Sequence, residues 1–179
     1  YAANGIDEIP PMADFGSPYK SVVSTAGLFP RGGGDSTVKG LDVDDQDFTI
    51  RRLHQKVMAR RDEITLTERL MTDDADVVFV AWGTQALSAI AAMHAARAMG
   101  IRAGVLRLIT VWPFPDDAVR DACANARLVV VPEMNLGQAR VMVTCALANT
   151  ATRVVGVNHV DSTFITPAEI IAAVRGAFS

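Results

Sequence analysis

Closely spaced cysteines are missing from this sequence, and so are long apolar runs and an excess of basic residues. The two cysteines, Cys123 and Cys145, are far apart and both fall in helical patterns. Iron–sulfur clusters and compact zinc sites need closely spaced ligands, so we expect this chain to hold no cluster of its own. Because nothing in the sequence indicates secretion, both thiols are expected to be free and buried rather than paired in a disulfide.

The charge balance and the length of the apolar runs exclude two further classes of protein. A formal net charge of −3 and an isoelectric point near 5.6 leave no basic footprint for nucleic acid. No apolar run reaches the roughly 18 residues that a membrane span needs, and Tyr1 opens no signal-peptide pattern. We therefore expect a soluble, cytoplasmic protein. A start without Met leaves open that the sequence is a fragment of a longer one.

The first 72 residues contain two different patterns. Proline and glycine interrupt residues 1–47 too often for a long helix or a central strand, which predicts an irregular connecting segment. Its triple glycine, 32–34, lacks the preceding strand and the following Lys-Ser/Thr of a phosphate-binding loop. Residues 48–72 then carry Ile50, Leu53, Val57 and Ile64 at helical spacing, which predicts one amphipathic helix. Its basic residues are interpreted as a solvated helix face rather than a site for an anionic ligand.

Residues 73–179 alternate between apolar runs and helical patterns, with short connections between them. β-branched runs without polar interruption indicate strands that are buried on both faces, as in a parallel sheet covered by helices. The predicted strands are 77–81, 103–109, 127–131 and 153–157, and the predicted helices are 85–99, 116–125, 136–148 and one that begins at Thr166. Thr166 and Glu169 are expected to form a capping box at the start of that last helix. This segment is therefore expected to be a three-layer α/β/α domain with a mainly parallel sheet and right-handed crossovers.

Polar residues follow these strands, at the edge of a parallel sheet where ligands or partner subunits are met. Glu133, Asn135 and Gln138 follow the third strand, and on the residues alone tethering of the loop is favoured over catalysis. The expected donors to the Glu133 carboxylate are the backbone amides of its own turn and the side chains of Asn135 and Gln138. Thr84 is expected to cap the helix after the first strand with its side chain. Gly83 beside it is a lone glycine, which does not support dinucleotide binding of the G-x-G-x-x-G type.

Three motifs in order carry a resemblance to a known family. They are Trp82-Gly83-Thr84, then Leu108-Ile109-Thr110-Val111-Trp112-Pro113-Phe114-Pro115, then Glu133-Met134-Asn135-Leu136-Gly137-Gln138, each after a predicted strand. Together they resemble the α subunit of 2-oxoacid:ferredoxin (acceptor) oxidoreductases, in its second, transketolase C-terminal-like domain. Upstream, residues 37–45 resemble the family's T-G-L-x-H-D-E segment, with Val43 in place of His and Asp45 in place of Glu. Residues 161–167 follow its G-x-P-F-T-P-E-E pattern only loosely.

The resemblance implies part of an enzyme that oxidatively decarboxylates a 2-oxoacid, with coenzyme A accepting the acyl group and ferredoxin the electrons. In that family thiamine diphosphate, with Mg, binds between a pyrimidine-type α-subunit domain and the β subunit, and iron–sulfur clusters lie elsewhere in the complex. This sequence shows neither the pyrimidine-type domain nor the diphosphate-binding segment. It is therefore interpreted as an assembly and positioning domain that binds no cofactor and has no catalytic centre.

The partners implied by the resemblance are the β subunit that carries thiamine diphosphate, the remaining α-subunit domain, and ferredoxin through the complex. Six residues are expected to meet a neighbouring domain or subunit at the carboxyl edge of the sheet: Thr84, Trp112, Phe114, Glu133, Asn135 and Gln138.

Two alternatives stay open at this point. One is the transketolase-like C-terminal domain of another thiamine enzyme, such as the β chain of a 2-oxoacid dehydrogenase; the other is a free-standing nucleotide-binding α/β domain. His54, His94 and His159 lack an obvious acid partner or nucleophile in the sequence, which favours core or surface roles. The sequence gives neither the 2-oxoacid nor the oligomeric state. It also does not place the antiparallel edge strand that a transketolase-type fold implies.

Overall fold

The computed structural model describes residues 7, 16, 18 and 43–178. The chain divides into two compact units, residues 1–61 and 62–179, which are described separately. In the first unit, helix α1 spans Val43–Met58 and pairs Arg51 with Asp47 across one turn, at 2.8 Å. The helix thus begins before the predicted start at residue 48. Most of the irregular segment predicted for 1–47 lies outside the described residues.

In the described part of the second unit, five strands form one sheet in the order β1-β3-β2-β4-β5. β2, β3, β4 and β5 run parallel to one another, whereas β1 is antiparallel to β3. The strands are β1 Thr67–Leu70, β2 Val77–Trp82, β3 Ala103–Leu108, β4 Leu128–Glu133 and β5 Arg153–Asn158. The four strands predicted from apolar runs are therefore confirmed, and all four run parallel to one another in one sheet.

The single helix predicted over 48–72 is wrong. After α1 ends at Met58, a one-turn helix α2 spans Arg61–Ile64, and the chain then enters β1. Glu68 of β1 lies opposite Arg107 of β3, and their side chains form an ion pair at 3.1 Å. Sheet pairing has overridden the helical spacing of this short segment. The α/β domain consequently begins before residue 73, and β1 is the antiparallel edge strand that the sequence did not place.

Helices cover both faces of the sheet, which confirms the three-layer arrangement. α3 and α6 pack on one face, and α4 and α5 pack on the other. The helices are α3 Gln85–Ala98, α4 Asp116–Ala122, α5 Gln138–Ala146 and α6 Pro167–Phe178. No helix in the described part of the chain is both long and apolar enough to cross a membrane.

Alanine allows α3 to lie close to the sheet. Ala86, Ala89, Ala92 and Ala96 fall on one face of the helix and are buried against the strands, around Phe79 of β2. Because these side chains end at Cβ, the helix axis can approach the strands closely, and larger residues there would force it outward at a cost of about 1 to 3 kcal/mol. α3 ends as predicted, with Gly100 at a positive φ of 81° just after the helix.

Arg97, near the end of α3, ties together the amino edge of the sheet. Its guanidinium donates to the carbonyl oxygens of Ala103 at 2.6 Å and Met71 at 2.9 Å, and it pairs with Asp74 at 2.5 Å. A planar guanidinium with several donors can satisfy all three acceptors at once. One side chain therefore connects α3, the start of β3 and the turn that leads into β2.

Gly104 marks the closest backbone approach at this edge. A Cβ built on Gly104 would lie 2.6 Å from the carbonyl oxygen of Met71 and 2.9 Å from the Cα of Thr72. Both neighbouring atoms are backbone and cannot rotate away. The turn at 71–72 therefore requires glycine at this position of β3.

The two cysteines are both free, but their environments differ. Cys123 is buried behind α4, and burial raises the pKa of its thiol to about 12. Cys145 is exposed on α5, because it points away from the buried residues Val143 and Ala146. The prediction of two buried thiols is therefore correct for Cys123 and wrong for Cys145.

Candidate functional site at the carboxyl edge of the sheet

The four parallel strands deliver four turns to one edge of the sheet. These turns follow β2, β3, β4 and β5, and they contain the motifs that the sequence singles out. In open α/β sheets this carboxyl edge is where ligands and partners bind. It is therefore the place to ask what each predicted site residue does.

β4 reaches this edge two residues later than predicted, through Pro132 to Glu133. Pro132 lacks an N–H, yet it is buried and pairs with Val157 of β5. Pairing between β4 and β2 covers only 128–130, so the missing donor lies beyond that ladder. The strand can consequently continue to Glu133 and carry its carboxylate into the domain.

Glu133 is fully buried, at 0% exposure, and its carboxylate accepts two backbone hydrogen bonds. Oε2 accepts from the N–H of Ala139 at 2.9 Å, and Oε1 accepts from the N–H of Arg140 at 3.0 Å. The sequence predicted donors in its own turn or on the side chains of Asn135 and Gln138. The observed donors are instead amides of the first turn of α5. The helix lies directly above the strand end, so its unpaired N–H groups reach the carboxylate first.

Asn135 caps the same helix from the intervening turn. Its Oδ1 accepts from the N–H of Gly137 at 2.8 Å and from the N–H of Gln138 at 3.1 Å. Gly137 makes this possible by adopting a left-handed φ of 106° at the N-cap. The turn is held from the side as well, because Asn158 of β5 donates to the Asn135 carbonyl oxygen at 2.9 Å.

Glu133 and Asn135 together satisfy the four N–H groups at the start of α5. These are the groups that a helix leaves without an internal partner, and the helix dipole favours a negative charge beside them. An external phosphate or carboxylate would have to displace the Glu133 carboxylate to bind there. The arrangement holds a strand, a turn and a helix in fixed register.

The remaining site candidates divide by exposure. Thr84 is exposed at the start of α3 and its side chain makes no capping hydrogen bond, so the predicted cap is wrong. Its backbone is already helical, which turns the hydroxyl away from the amides that it would have to reach. Trp112 is 58% exposed after β3, and Gln138 is exposed in the first turn of α5. These three side chains face solvent at the carboxyl edge.

Phe114 departs from the expected interface role. It is only 7% exposed and packs in the same core cluster as Leu108, Val131 and Val119. Pro113 and Pro115 on either side are buried with Phe114, whereas Trp112 is exposed. The aromatic pair of the W-P-F-P motif therefore has one anchor in the core and one side chain in solvent.

The loop between β5 and α6 contains a side-chain contact that sequence reasoning missed. His159 lies 3.0 Å, through Nε2, from Oε1 of Glu169, so it has the acid partner that the sequence did not reveal. Glu169 also forms the predicted capping box with Thr166, accepting from its N–H at 2.8 Å while its own N–H reaches the Thr166 hydroxyl at 3.3 Å. The capping box was the available signal, because it places a carboxylate beside the strand end.

Hydrogen bonds lower the pKa of two carboxyl groups in this loop. The Thr166 hydroxyl and amide, and then His159, lower the pKa of Glu169. The Thr163 hydroxyl and amide lower the pKa of Asp161. Both groups are solvent-accessible acceptors in local turns. Their role is to order the loop.

Large apolar side chains are exposed along the same edge. Leu136 after β4 is 81% exposed, Phe164 after β5 is 64% exposed, and Val160 beside it is also exposed. Together with Trp112, these side chains project from three of the four turns. Exposed apolar groups gathered at one edge are typical of a surface that meets another protein.

The described residues provide no ligand set for a metal ion. No group of three or more His, Cys, Asp or Glu side chains comes together in the part of the chain that the structure covers. Cys123, with its raised pKa, would be a poor thiolate ligand, and it is a different case from the exposed Cys145. An iron–sulfur cluster or a zinc ion does not fit these residues.

Comparison with known proteins identifies the relatives of this domain. The family profile of the pyruvate:ferredoxin oxidoreductase core domain II matches residues 75–170. The chain is 34% identical over 127 residues to the 2-oxoglutarate synthase subunit KorA of Methanothermobacter marburgensis, covering 71% of this chain and 33% of that subunit. The chain thus spans about a third of the length of this curated relative.

Solved structures share the fold. The 2-oxoglutarate:ferredoxin oxidoreductase from Magnetococcus marinus superimposes with a TM-score of 0.63 at 22% identity, over 94% of this chain and 29% of that one. A split-gene transketolase gives a TM-score of 0.53 at 24% identity, over 63% of this chain and 41% of that one. The transketolase-like fold and the resemblance found in the motifs are confirmed, and the chain belongs to the pyruvate:ferredoxin oxidoreductase core domain II family.

Proposed function

We propose that this chain serves as the second domain of the α subunit of a 2-oxoacid:ferredoxin oxidoreductase. The complete enzyme would oxidatively decarboxylate a 2-oxoacid to acyl-CoA and pass the electrons to ferredoxin. Within it, this domain assembles and positions neighbouring parts and contributes no catalytic centre. The two free cysteines are compatible with a reducing, cytoplasmic location.

The observation that carries the proposal is that the Glu133 carboxylate, in the most polar motif at the carboxyl edge, is buried and bound by backbone amides of its own domain. The Glu133 carboxylate is fully buried and is occupied by the amides of Ala139 and Arg140. A general acid or base has to reach the proton that it transfers, whereas this carboxylate faces its own helix. The motif therefore supports a positioning role in preference to a chemical one.

The side chains left outside at this edge suit contact with another protein. Trp112, Leu136 and Phe164 are exposed and apolar. Two exposed polar residues lie among them at the same edge: Thr84 follows β2, which lies between β3 and β4 in the sheet, and Gln138 follows β4. Aromatic and aliphatic side chains surrounded by polar groups are typical of protein interfaces. We infer that this surface meets the β subunit or the remaining α-subunit domain. Phe114, which is buried, supports the surface from below.

The cofactors belong to the rest of the proposed complex. Among the described residues no group of three or more His, Cys, Asp or Glu side chains comes together to hold a metal ion, and the start of α5 is already filled by Glu133. We assign thiamine diphosphate with Mg, the iron–sulfur clusters and coenzyme A to the other parts of the complex. The occupied helix start also argues against a free-standing nucleotide-binding domain at this position. A nucleotide titration of the isolated chain would decide that alternative.

The interface is tested by paired substitutions in the complete complex. Leu136→Ala removes an exposed apolar side chain at the carboxyl edge, and Met99→Ala removes one at the opposite end of the sheet, after α3. We expect Leu136→Ala to weaken subunit association by roughly tenfold, measured by sedimentation velocity over a concentration series. Met99→Ala should leave association unchanged. Equal effects of the two substitutions would contradict the assignment of the surface.

Activity of the isolated chain provides the second test. Because no cofactor site is assigned to it, the purified chain should neither bind thiamine diphosphate in a calorimetric titration nor reduce a viologen dye with any 2-oxoacid. Turnover by the isolated chain would overturn the proposed division of labour. Dye reduction by the complete complex, assayed in parallel, is the positive control.

A further inference from the structure

His159 is the centre of a chain of side-chain hydrogen bonds in the β5–α6 loop. In addition to its contact with Glu169, its Nδ1 lies 2.8 Å from Oγ1 of Thr163 and 3.2 Å from the carbonyl oxygen of the same residue. The Thr163 hydroxyl in turn lies 2.7 Å from Oδ1 of Asp161, to which it donates. The network thus runs from Asp161 through Thr163 and His159 to α6.

All contacts of this network form at once only when both ring nitrogens carry a proton. An ionised carboxylate and a carbonyl oxygen only accept, so Glu169 and the Thr163 carbonyl need protons from the ring. The Thr163 hydroxyl donates to Asp161, so while that bond is kept its 2.8 Å contact with Nδ1 takes the proton from the ring. A neutral ring carries one proton. If the proton is on Nδ1, Nε2 cannot donate to Glu169. If it is on Nε2, the Thr163 hydroxyl must turn from Asp161 to donate to Nδ1, and Nδ1 then has no proton for the Thr163 carbonyl oxygen. One contact is lost in either case.

We propose that His159 is a protonation-dependent clasp for the β5–α6 loop. With both ring nitrogens protonated, the clasp holds the loop in the shape that exposes Val160 and Phe164 at the carboxyl edge; loss of one proton loosens it. The role of this loop as a contact for another subunit rests on the proposed function. The clasp itself belongs to this chain and is tested on the chain alone.

The charged groups around His159 define the pH range of the clasp. Asp161 in the loop and Glu169 on α6 interact with the ring. The backbone carbonyl oxygen of Glu133 accepts the His159 backbone N–H at 3.3 Å, whereas the Glu133 carboxylate is bound by the start of α5. The pKa values of both loop carboxyls are lowered, so they stay ionised above about pH 4 and their contribution is lost below it. The contribution of the doubly protonated ring has the opposite sign, because it is lost when the ring gives up a proton.

Amide hydrogen exchange in the chain measures the clasp directly. The N–H of Thr163 donates to Asp161 at 3.0 Å and the N–H of Thr166 donates to Glu169 at 2.8 Å, so both report whether the loop is closed. We expect their protection factors, which correct for intrinsic exchange, to be about five- to tenfold lower at pH 8 than at pH 6, the loss of one charge-assisted hydrogen bond. Ring nitrogen chemical shifts should report two N–H groups on His159 at pH 6.

Two histidine variants separate the clasp from a general effect of pH. His94→Gln changes an exposed histidine on α3 and should retain the full difference between pH 6 and pH 8. His159→Gln cannot titrate and should abolish the difference. The proposal is overturned if wild-type protection is equal at the two pH values, or if the difference persists in His159→Gln. It is also overturned if the His159 ring carries one proton at pH 6 while both amides are protected, a result that does not depend on how the variant folds.

Discussion

The two ends of the sheet are closed by different kinds of interaction. At the amino edge, arginine side chains pair with aspartates, as in Arg97 with Asp74 and Arg102 with Asp76, and the backbone approaches itself closely at Gly104. At the carboxyl edge, Glu133 and Asn135 bind backbone amides, and the apolar side chains are left outside. Ion pairs within the domain close the amino edge. The carboxyl edge is held by hydrogen bonds to backbone amides and leaves large apolar side chains exposed. The carboxyl edge is therefore the end at which we propose that a partner binds.

The largest effect is expected from Gly104→Ala at the amino edge. The new Cβ would meet the Met71 carbonyl oxygen and the Thr72 Cα, which are backbone atoms, so the turn has to move. We expect the free energy of unfolding to fall by about 3 kcal/mol in a urea titration. Gly176→Ala is the matched control: nothing lies near its Cβ position in α6, and it should raise the stability by about 0.5 to 1 kcal/mol. A Gly104→Ala variant that is as stable as wild type would show that the amino edge is not tightly packed.

Glu133→Gln tests the carboxyl edge with a residue of the same size. Glutamine retains one oxygen for an α5 amide but turns an NH2 group toward the other, so the free energy of unfolding should fall by roughly 1 to 3 kcal/mol with the fold intact. In the complete complex we expect looser subunit association and little change in turnover per assembled complex. Sedimentation beside a dye-reduction assay separates these outcomes. Normal assembly with collapsed turnover would make Glu133 catalytic and the positioning role wrong.

Asn135→Ala should have a smaller effect at the same helix start. It removes the acceptor of the Gly137 and Gln138 amides while leaving the Glu133 contacts in place. A loss of about 1 kcal/mol is expected, as for other N-cap residues. Asn135→Asp retains the accepting oxygen and adds a charge that the helix dipole favours, so it should be close to wild type. A loss as large in Asn135→Asp as in Asn135→Ala would contradict the capping role.

Salt and acid should distinguish the two edges by the smallest effects. The amino-edge pairs are solvent-accessible, and hydrogen bonds to Arg97 and Arg102 lower the pKa of Asp74 and Asp76 respectively. A carboxyl group with a lowered pKa stabilises the fold while it is ionised, and this stability is lost as the pH falls and the group takes up a proton. Asp76→Asn removes that group, so below about pH 4 the stability of the variant should fall less steeply with pH than that of wild type. Raising the salt concentration should reduce the difference in melting temperature between Asp76→Asn and wild type, because salt screens exposed ion pairs. The difference in melting temperature between Asn135→Ala and wild type should not change with salt. Melting curves at two salt concentrations measure both.

The sequence predicted the parts of this fold that depend on local pattern. β2 to β5 and α3 to α6 were recoverable because apolar runs and helical spacing report burial directly. β1 was not, since four residues beside a helical pattern become a strand only through pairing with β3. The boundary predicted at residue 73 failed for the same reason.

The site residues show the same division between local and tertiary information. The capping box of Thr166 and Glu169 was predicted correctly, because its two members are three residues apart. The partners of Glu133, the burial of Phe114 and the pairing of His159 with Glu169 depend on where α5, the core and α6 pack. A carboxylate at the end of a buried strand predicts that hydrogen-bond donors lie nearby, but the sequence does not show which helix provides them.

The Glu133-x-Asn135-x-Gly137 arrangement has a consequence for how related sequences are interpreted. Each of the three residues is accounted for by the start of α5, two as acceptors and one as the left-handed N-cap. The motif thus encodes the turn from β4 into α5, and its three residues do not determine the substrate. Two proteins that share it can be assigned the same corner and still differ in substrate, so substrate has to be inferred from other segments.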